Sequence, residues 1–488
     1  MLRHHSYFGY ALIPVSLVWL LPLTGCGHRE GLAKLDQCRL PGVDQKALCG
    51  ELTVFENREI GSGRTIDLNI IVVPALDQSN KLEPIFYLEG GPGAAATNNA
   101  TFFAGEGKIY REKHDVVLVD QRGTGKSNPL AAKSERRTPQ GYLTEMYPVE
   151  YVKKLRRTLE RKADLTQYTT SIAMDDLDEV RHWLGYDRIN LVGLSYGTRA
   201  ALVYMRQHPE RVQTATLLGV APTYLRMPLY HSQAAARAME LLLRECQADL
   251  VCHRAFPQVD QDWKNLLSEL GNGSVRVPYV PDNGAPVTVE IERDIFTEKV
   301  RTMMYSPQTA TRIPLVIHQA AHGDFAPFLR ESIGSSTADF IADGMYLSVT
   351  CAEDVPFIDA TEAAQLNGEN PFGNYRVLQQ TRACSLWSQG KIPPNFRDPV
   401  SSNIPVLIFS GRLDPVTPPE RGSEVAAHLP NSRHVVIPQA GHLADGLSDQ
   451  ECIDRVTIEF MRTGEAKNVD VSCVEKMARP PFSTNTND

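Results

Sequence analysis

Gly193-Leu194-Ser195-Tyr196-Gly197 is a G-x-S-x-G pentapeptide, and it follows an apolar run at 189–192 and precedes a helical pattern at 198–208. A serine on so sharp a strand-to-helix turn presents its hydroxyl at the sheet edge, with a helix N-terminus beneath it to favour developing negative charge. The hydroxyl is a weak nucleophile until a base takes its proton. Two later residues suit that task. Asp414 lies in Ser410-Gly411-Arg412-Leu413-Asp414-Pro415, after the buried run 404–409. His442 lies in Gln439-Ala440-Gly441-His442, after the run 434–437. The order Ser, Asp, His with each residue just past a strand predicts a triad: Ser195 as nucleophile, His442 as general base then acid, Asp414 fixing the imidazole tautomer. His434 is the nearest rival but begins its strand, at the wrong edge of the sheet. An oxyanion hole needs two aimed N–H donors. The backbone N–H of Tyr196 and that of Gly91, in Gly90-Gly91-Pro92-Gly93, are the candidates, since Pro92 has none.

The elements that must position these groups are legible in the apolar pattern. Strands are expected at 52–55, 66–73, 84–88, 116–119, 189–192, 215–220, 404–409 and 434–437. The short, continuously apolar runs PIFYL and VVLV suit strands buried on both faces. Helices are expected at 171–184, with Gly185 as its cap, at 198–208, at 234–244 and near 420–429. Residues 128–165 read as a polar surface excursion. Strand–helix alternation stops after Pro222 and resumes near 396, with a turn-rich stretch at 271–286 between. The expected architecture is an α/β-hydrolase fold, a mostly parallel sheet with helices on both faces and an inserted, mainly helical cap. The expected division is 1–25 signal peptide, 26–222 first part of the core, 223–395 cap, and 396–488 C-terminal part of the core.

The chain of 488 residues has a formal net charge of −8 and no basic block. That argues against nucleic acid as a partner, because phosphate binding needs a cationic surface. An apolar run from about residue 11 to 23, interrupted by Pro14 and Pro22, is too short for a comfortable membrane span and reads as a secretory signal. It ends in Leu23-Thr24-Gly25-Cys26, which resembles the bacterial lipobox. That resemblance implies lipidation of Cys26 and a lipoprotein anchored to a bacterial membrane; Gly27 in place of Asp points to the outer membrane, facing the periplasm. Setting Cys26 aside leaves eight cysteines, an even number that suits an oxidising compartment. Nearest-neighbour pairing would give Cys38–Cys49, Cys246–Cys252, Cys351–Cys384 and Cys452–Cys473. No CxxC or His-rich cluster suggests a metal, and no cofactor is implied: Gly123-Thr124-Gly125-Lys126-Ser127 lacks the first glycine of a phosphate loop, position 120 being Asp.

Taken together, Gly90-Gly91-Pro92-Gly93, Asp120-Gln121-Arg122-Gly123-Thr124-Gly125-Lys126-Ser127, Gly193–Thr198, Gly411–Pro418 and Gly441-His442 resemble the prolyl aminopeptidase and tripeptidyl aminopeptidase family of serine exopeptidases. The resemblance implies release of N-terminal residues or short peptides from oligopeptides through an acyl-enzyme. Prolyl aminopeptidases carry His before GGPG; this chain has Glu89, which leans toward the tripeptidyl branch. An aminopeptidase must also hold the substrate's α-ammonium group, and the stretch Val349–Asp354 resembles the family's acidic segment, making Glu353 and Asp354 the candidates. Arg122 and Asp120 read as loop-ordering charges. Two other readings stay open: an esterase or other small-molecule acyl hydrolase with the same triad, and a non-catalytic binding lipoprotein. The sequence leaves the oligomeric state open.

Overall fold

The structure, a computed structural model, describes residues 31–485 apart from 45, 133–137, 282–283, 335–339 and 369. The expected signal peptide and Cys26 lie outside the described residues. The eleven strands are β1 (Asp36–Arg39), β2 (Lys46–Phe55), β3 (Thr65–Val73), β4 (Ile85–Leu88), β5 (Val116–Val119), β6 (Ile189–Leu194), β7 (Val212–Leu218), β8 (Val275–Tyr279), β9 (Val287–Ile291), β10 (Val406–Gly411) and β11 (Ser432–Ile437). Nine of them form one sheet in the order β1-β2-β3-β5-β4-β6-β7-β10-β11. From β5 to β11 every pairing is parallel, while β1, β2 and β3 extend the sheet antiparallel.

Alternate residues of one strand serve opposite faces. In β10, Val406 and Ile408 pack with Ala200, Val203 and Val425. Leu407 and Phe409 pack instead with Cys452, Ile453, Val456 and Phe460 of the helix Glu451–Thr463. β5 divides likewise: Val117 and Val119 face the first cluster, Val116 and Leu118 face Ala100, Phe103 and Tyr110. Both faces are therefore covered by helices, which is why these strands are apolar throughout. Each such side chain taken fully from water contributes roughly 1.5–3 kcal/mol.

A second apolar cluster is drawn largely from residues 235–329, including Trp263, Phe296 and Phe328. The segment from Ala342 to Val400 contributes to the main cluster through Met345, Leu347, Val349, Trp387 and Phe396, while its Phe372 and Tyr375 join the second. Four disulfides close as expected from nearest neighbours: Cys38–Cys49, Cys246–Cys252, Cys351–Cys384 and Cys452–Cys473.

Two local expectations need correction, and one helix had no counterpart among them. The stretch 128–165 contains the helix Val149–Leu159, whose Val152, Leu155 and Leu159 recur at helical spacing and bury in the main cluster. The turn-rich stretch 271–286 begins the antiparallel pair of β8 and β9, whose Val277, Val289 and Ile291 bury against the second cluster. The helix Glu451–Thr463 was not expected, although its buried positions follow the same 3.6-residue period.

Candidate active site

Ser195 follows β6 directly and caps the helix Tyr196–Gln207, with backbone angles φ 56° and ψ −121°. A non-glycine residue held there costs on the order of 1–3 kcal/mol and must be fixed by its surroundings. The surroundings are glycine and backbone. A Cβ on Gly193 would lie 2.5 Å from the Gly197 carbonyl oxygen, and one on Gly197 would lie 2.0 Å from that of Leu88. The Ser195 N–H donates to the Leu218 carbonyl at 2.8 Å, and Thr198 Oγ1 donates to the Ser195 carbonyl at 2.6 Å. The turn therefore ends at the C-terminal edge of the parallel strands with the side chain partly exposed.

Asp414 sits in the loop after β10 and is wholly buried. Its Oδ1 accepts from the backbone N–H groups of Val416 and Thr417 at 2.7 and 2.8 Å, and its Oδ2 from Thr417 Oγ1 at 2.9 Å. His442 Nδ1 lies 2.7 Å from that same Oδ2. Burial alone would raise the Asp414 carboxyl, but His442 and the amides of Thr417 and Val416 hold it below the ordinary carboxylate range. An ionised carboxylate only accepts, so the imidazole proton resides on Nδ1 and Nε2 keeps its lone pair. Tyr305 packs edge-on against the imidazole, ring centres 5.0 Å apart.

Ser195 and His442 line one cavity of about 250 Å³ together with Glu89, Gly90 and Gly91. Met227, His231, Glu298, Arg301, Tyr305, Ile341, Asp343, Tyr346 and Arg376 complete much of its wall. Gly91, at φ 110°, lies in a loop tied to the far wall by the Ala342 N–H donating to the Gly93 carbonyl at 3.0 Å. Tyr196 opens the helix after Ser195, and its ring turns away to place its hydroxyl 2.8 Å from Thr170 Oγ1. Such a constellation can carry out acyl transfer: a hydroxyl on a strained turn, an acid–imidazole pair, and backbone N–H groups at a helix start.

The structure does not bring Glu353 and Asp354 to this cavity. Both are wholly buried behind the helix Tyr196–Gln207. Asp354 pairs with both terminal nitrogens of Arg199, at 3.0 and 2.9 Å, and accepts from the Met227 N–H at 3.1 Å. Glu353 accepts from the Thr170 N–H and hydroxyl at 2.7 and 2.8 Å, with Arg199 at 3.7 Å. Burial pushes the Glu353 carboxyl up to about 7 against the pull of Arg199. The chain Tyr196–Thr170–Glu353–Arg199–Asp354 thus fixes the nucleophile helix from behind, and neither carboxylate can receive a substrate amine there. Sequence reasoning had no way to see that Arg199 points at them.

Arg122 and Asp120 order loops, as expected. Arg122 makes paired bonds of 2.6 and 2.8 Å to Asp176, and Asp120 accepts from Thr97, Lys126 and Asn69. His434 bonds to Ser410 Oγ at 2.9 Å, outside the cavity wall. The residues that sequence reasoning missed are the polar wall groups from 227–376. Glu298 there pairs with both Arg301, at 2.6 Å, and Arg376, at 3.3 Å. No motif marks them, because they come from separate segments, Glu298 and Arg301 from the helix Arg293–Met303 and Arg376 from the helix Tyr375–Cys384. Among the described residues, Asp262, His318 and His322 bring three donor atoms within 4.8 Å of one another, and Asp262 and His318 are already paired at 2.8 Å.

Comparison with known proteins finds two matching family models and several relatives. Residues 83–244 match the family model described as alpha/beta hydrolase fold, and residues 369–473 match that described as TAP-like protein. The chain is 23% identical over 485 residues to serine protease Hip1 of Mycobacterium tuberculosis, covering 90% of this chain and 88% of the relative. It is 24% identical over 471 residues to tripeptidyl aminopeptidase of Streptomyces lividans, covering 87% of this chain and 83% of the relative. A shorter match, 28% over 137 residues, is to proline iminopeptidase of Neisseria gonorrhoeae, covering 28% of this chain and 32% of the relative.

Proposed function

We propose that this chain, an α/β hydrolase that resembles the tripeptidyl and prolyl aminopeptidases, is a serine exopeptidase releasing N-terminal residues or short peptides from oligopeptides. The observation that carries the reading is the placing of Ser195, on its strained turn, and the His442–Asp414 pair on one cavity. His442 Nε2 takes the Ser195 proton as the hydroxyl attacks the scissile carbonyl, and returns it to the leaving amine. The C-terminal part of the peptide departs, and water then releases the acyl group by the same exchange in reverse. The Tyr196 and Gly91 N–H groups receive the oxyanion. Residues 223–395 act as the cap: Met227, His231, Glu298, Arg301, Tyr305 and Arg376 roof the cavity, and its small volume favours short chains over folded proteins.

The α-ammonium group needs a carboxylate in the cavity, and Glu89 suits it better than Glu353 or Asp354. Glu89 lines the wall, and its hydrogen-bond partners among the described residues are neutral donors: the Gly90 N–H, the Tyr87 hydroxyl and the Asn99 amide. Glu298 is engaged by two guanidinium groups. We place the protein in an oxidising compartment, anchored to a bacterial membrane through a lipid on Cys26. Four disulfides support export. Among the described residues no helix is long and apolar enough to cross a membrane.

The deciding experiment is a matched chromogenic panel with the protein from residue 27 onward: free-amine mono-, di- and tripeptide anilides, their N-blocked forms, and aryl esters. Ser195-dependent cleavage of free-amine anilides that is lost on blocking is expected. Cleavage of esters alone would move the assignment to an esterase.

A further inference from the structure

His231 opens the helix His231–Ala248 in the wall of the cavity that holds Ser195 and His442. It is only 5% exposed, yet neither ring nitrogen has a hydrogen-bond partner among the described residues. Leaving a buried polar atom unpaired costs on the order of 1–3 kcal/mol. The other well-buried imidazoles are satisfied: His114 bonds to the Glu83 carbonyl at 2.7 Å and His442 to Asp414. A side chain needed only to fill this space would be apolar. The unpaired ring is therefore a group waiting for a partner that enters the cavity.

The chemistry of that partner follows from the ring and its neighbours. Burial, together with the positive Arg376 and Arg301 and the nearby His442, keeps the imidazole from taking a proton in its ordinary range. Glu298, the acidic neighbour of the two arginines, is bonded to both of them. A neutral imidazole offers one N–H donor and one lone pair. Because its two nitrogens point apart, the ring meets one pole of a peptide group, its N–H donating to a carbonyl oxygen or its lone pair accepting from an N–H, and in either case no net charge enters the pocket beside Arg301 and Arg376.

We infer that His231 forms a subsite for a neutral main-chain peptide group of the bound substrate, so that it reads the presence of a peptide bond next to the scissile one. The inference rests on the peptidase reading above. It makes His231 a specificity-determining residue rather than part of the proton relay, since Asp414 and His442 already supply that.

The test compares wild type with His231→Phe, His231→Leu and His231→Gln on p-nitrophenyl acetate and on free-amine mono-, di- and tripeptide p-nitroanilides. The acetate and the mono-aminoacyl anilide contain no second peptide group, and Gln restores one donor and one acceptor. Phe and Leu are expected to lower kcat/KM on the di- and tripeptide anilides about tenfold or more, the loss of a hydrogen bond with its partner left unpaired. They should leave acetate hydrolysis within about twofold, and Gln should recover most of the loss. Equal losses on ester and peptides in both apolar variants, no loss on peptides, or wild-type turnover confined to mono-aminoacyl anilides would overturn the subsite. Wild-type hydrolysis of the ester with none of the anilides would instead defeat the peptidase reading itself.

Discussion

One oxygen of Asp414 serves two donors: Oδ2 lies 2.7 Å from His442 Nδ1 and 2.9 Å from Thr417 Oγ1. The other oxygen is held by two backbone N–H groups, so the carboxylate cannot rotate. The imidazole tautomer is thereby decided by backbone geometry several residues away from the ring.

Asp414→Asn tests that arrangement. The amide oxygen would stay with the Val416 and Thr417 N–H groups, which presents NH₂ to His442 and moves the ring proton to Nε2. The base would then face Ser195 with the wrong atom. We expect kcat to fall on the order of 10⁴-fold with near-unchanged thermal stability, measured by steady-state kinetics and calorimetry. A fall of less than about tenfold would show that His442 does not depend on this carboxylate.

The buried charges behind the nucleophile helix give a second prediction. Arg199→Met would leave Glu353 and Asp354 wholly buried without their counter-charge. A destabilisation of about 3–5 kcal/mol is expected in urea denaturation. The ratio of free-amine to N-blocked hydrolysis should stay the same in the folded fraction, because neither carboxylate reaches the cavity. A changed ratio would restore these residues as an amine anchor.

Much of this was legible in the sequence, and the limits are physical. Strands such as Val116–Val119 announce themselves because both of their faces are buried, leaving no polar position to confuse the pattern. Ser195 and Asp414 each follow such a strand and His442 follows the edge strand β11, so their placing at one end of the strands could be read from order alone. The pairing of Arg199 with Asp354 could not, since 155 residues separate them and nothing local connects them. Glu353 and Asp354 stood in the right kind of stretch but pointed behind the helix. His231, Glu298, Arg301 and Arg376 were invisible for a related reason. They converge from three helices, His231–Ala248, Arg293–Met303 and Tyr375–Cys384, in a stretch without strand–helix alternation to fix its register.

The neutral ring of His231 makes a third prediction, in pH. Unfolded, it binds a proton as pH falls through its ordinary value near 6.5; folded, burial and Arg376 and Arg301 prevent it. The unfolded state then holds more protons, so wild type loses up to about 1.4 kcal/mol of stability per pH unit below that value from this group. Phenylalanine does not titrate. Urea denaturation from pH 7 to pH 5 should therefore show the stability of His231→Phe rising relative to wild type as pH falls. Parallel curves would mean that the ring is protonated in the folded protein.

We propose Ser195 as the activated nucleophile of this site. Reaction of the protein from residue 27 onward with a fluorophosphonate, followed by peptide mass spectrometry, tests this. One adduct per chain is expected, on the peptide containing Ser195, formed slowly or not at all in Asp414→Asn. An adduct on a different residue, or an equal rate of labelling in Ser195→Ala, would contradict it.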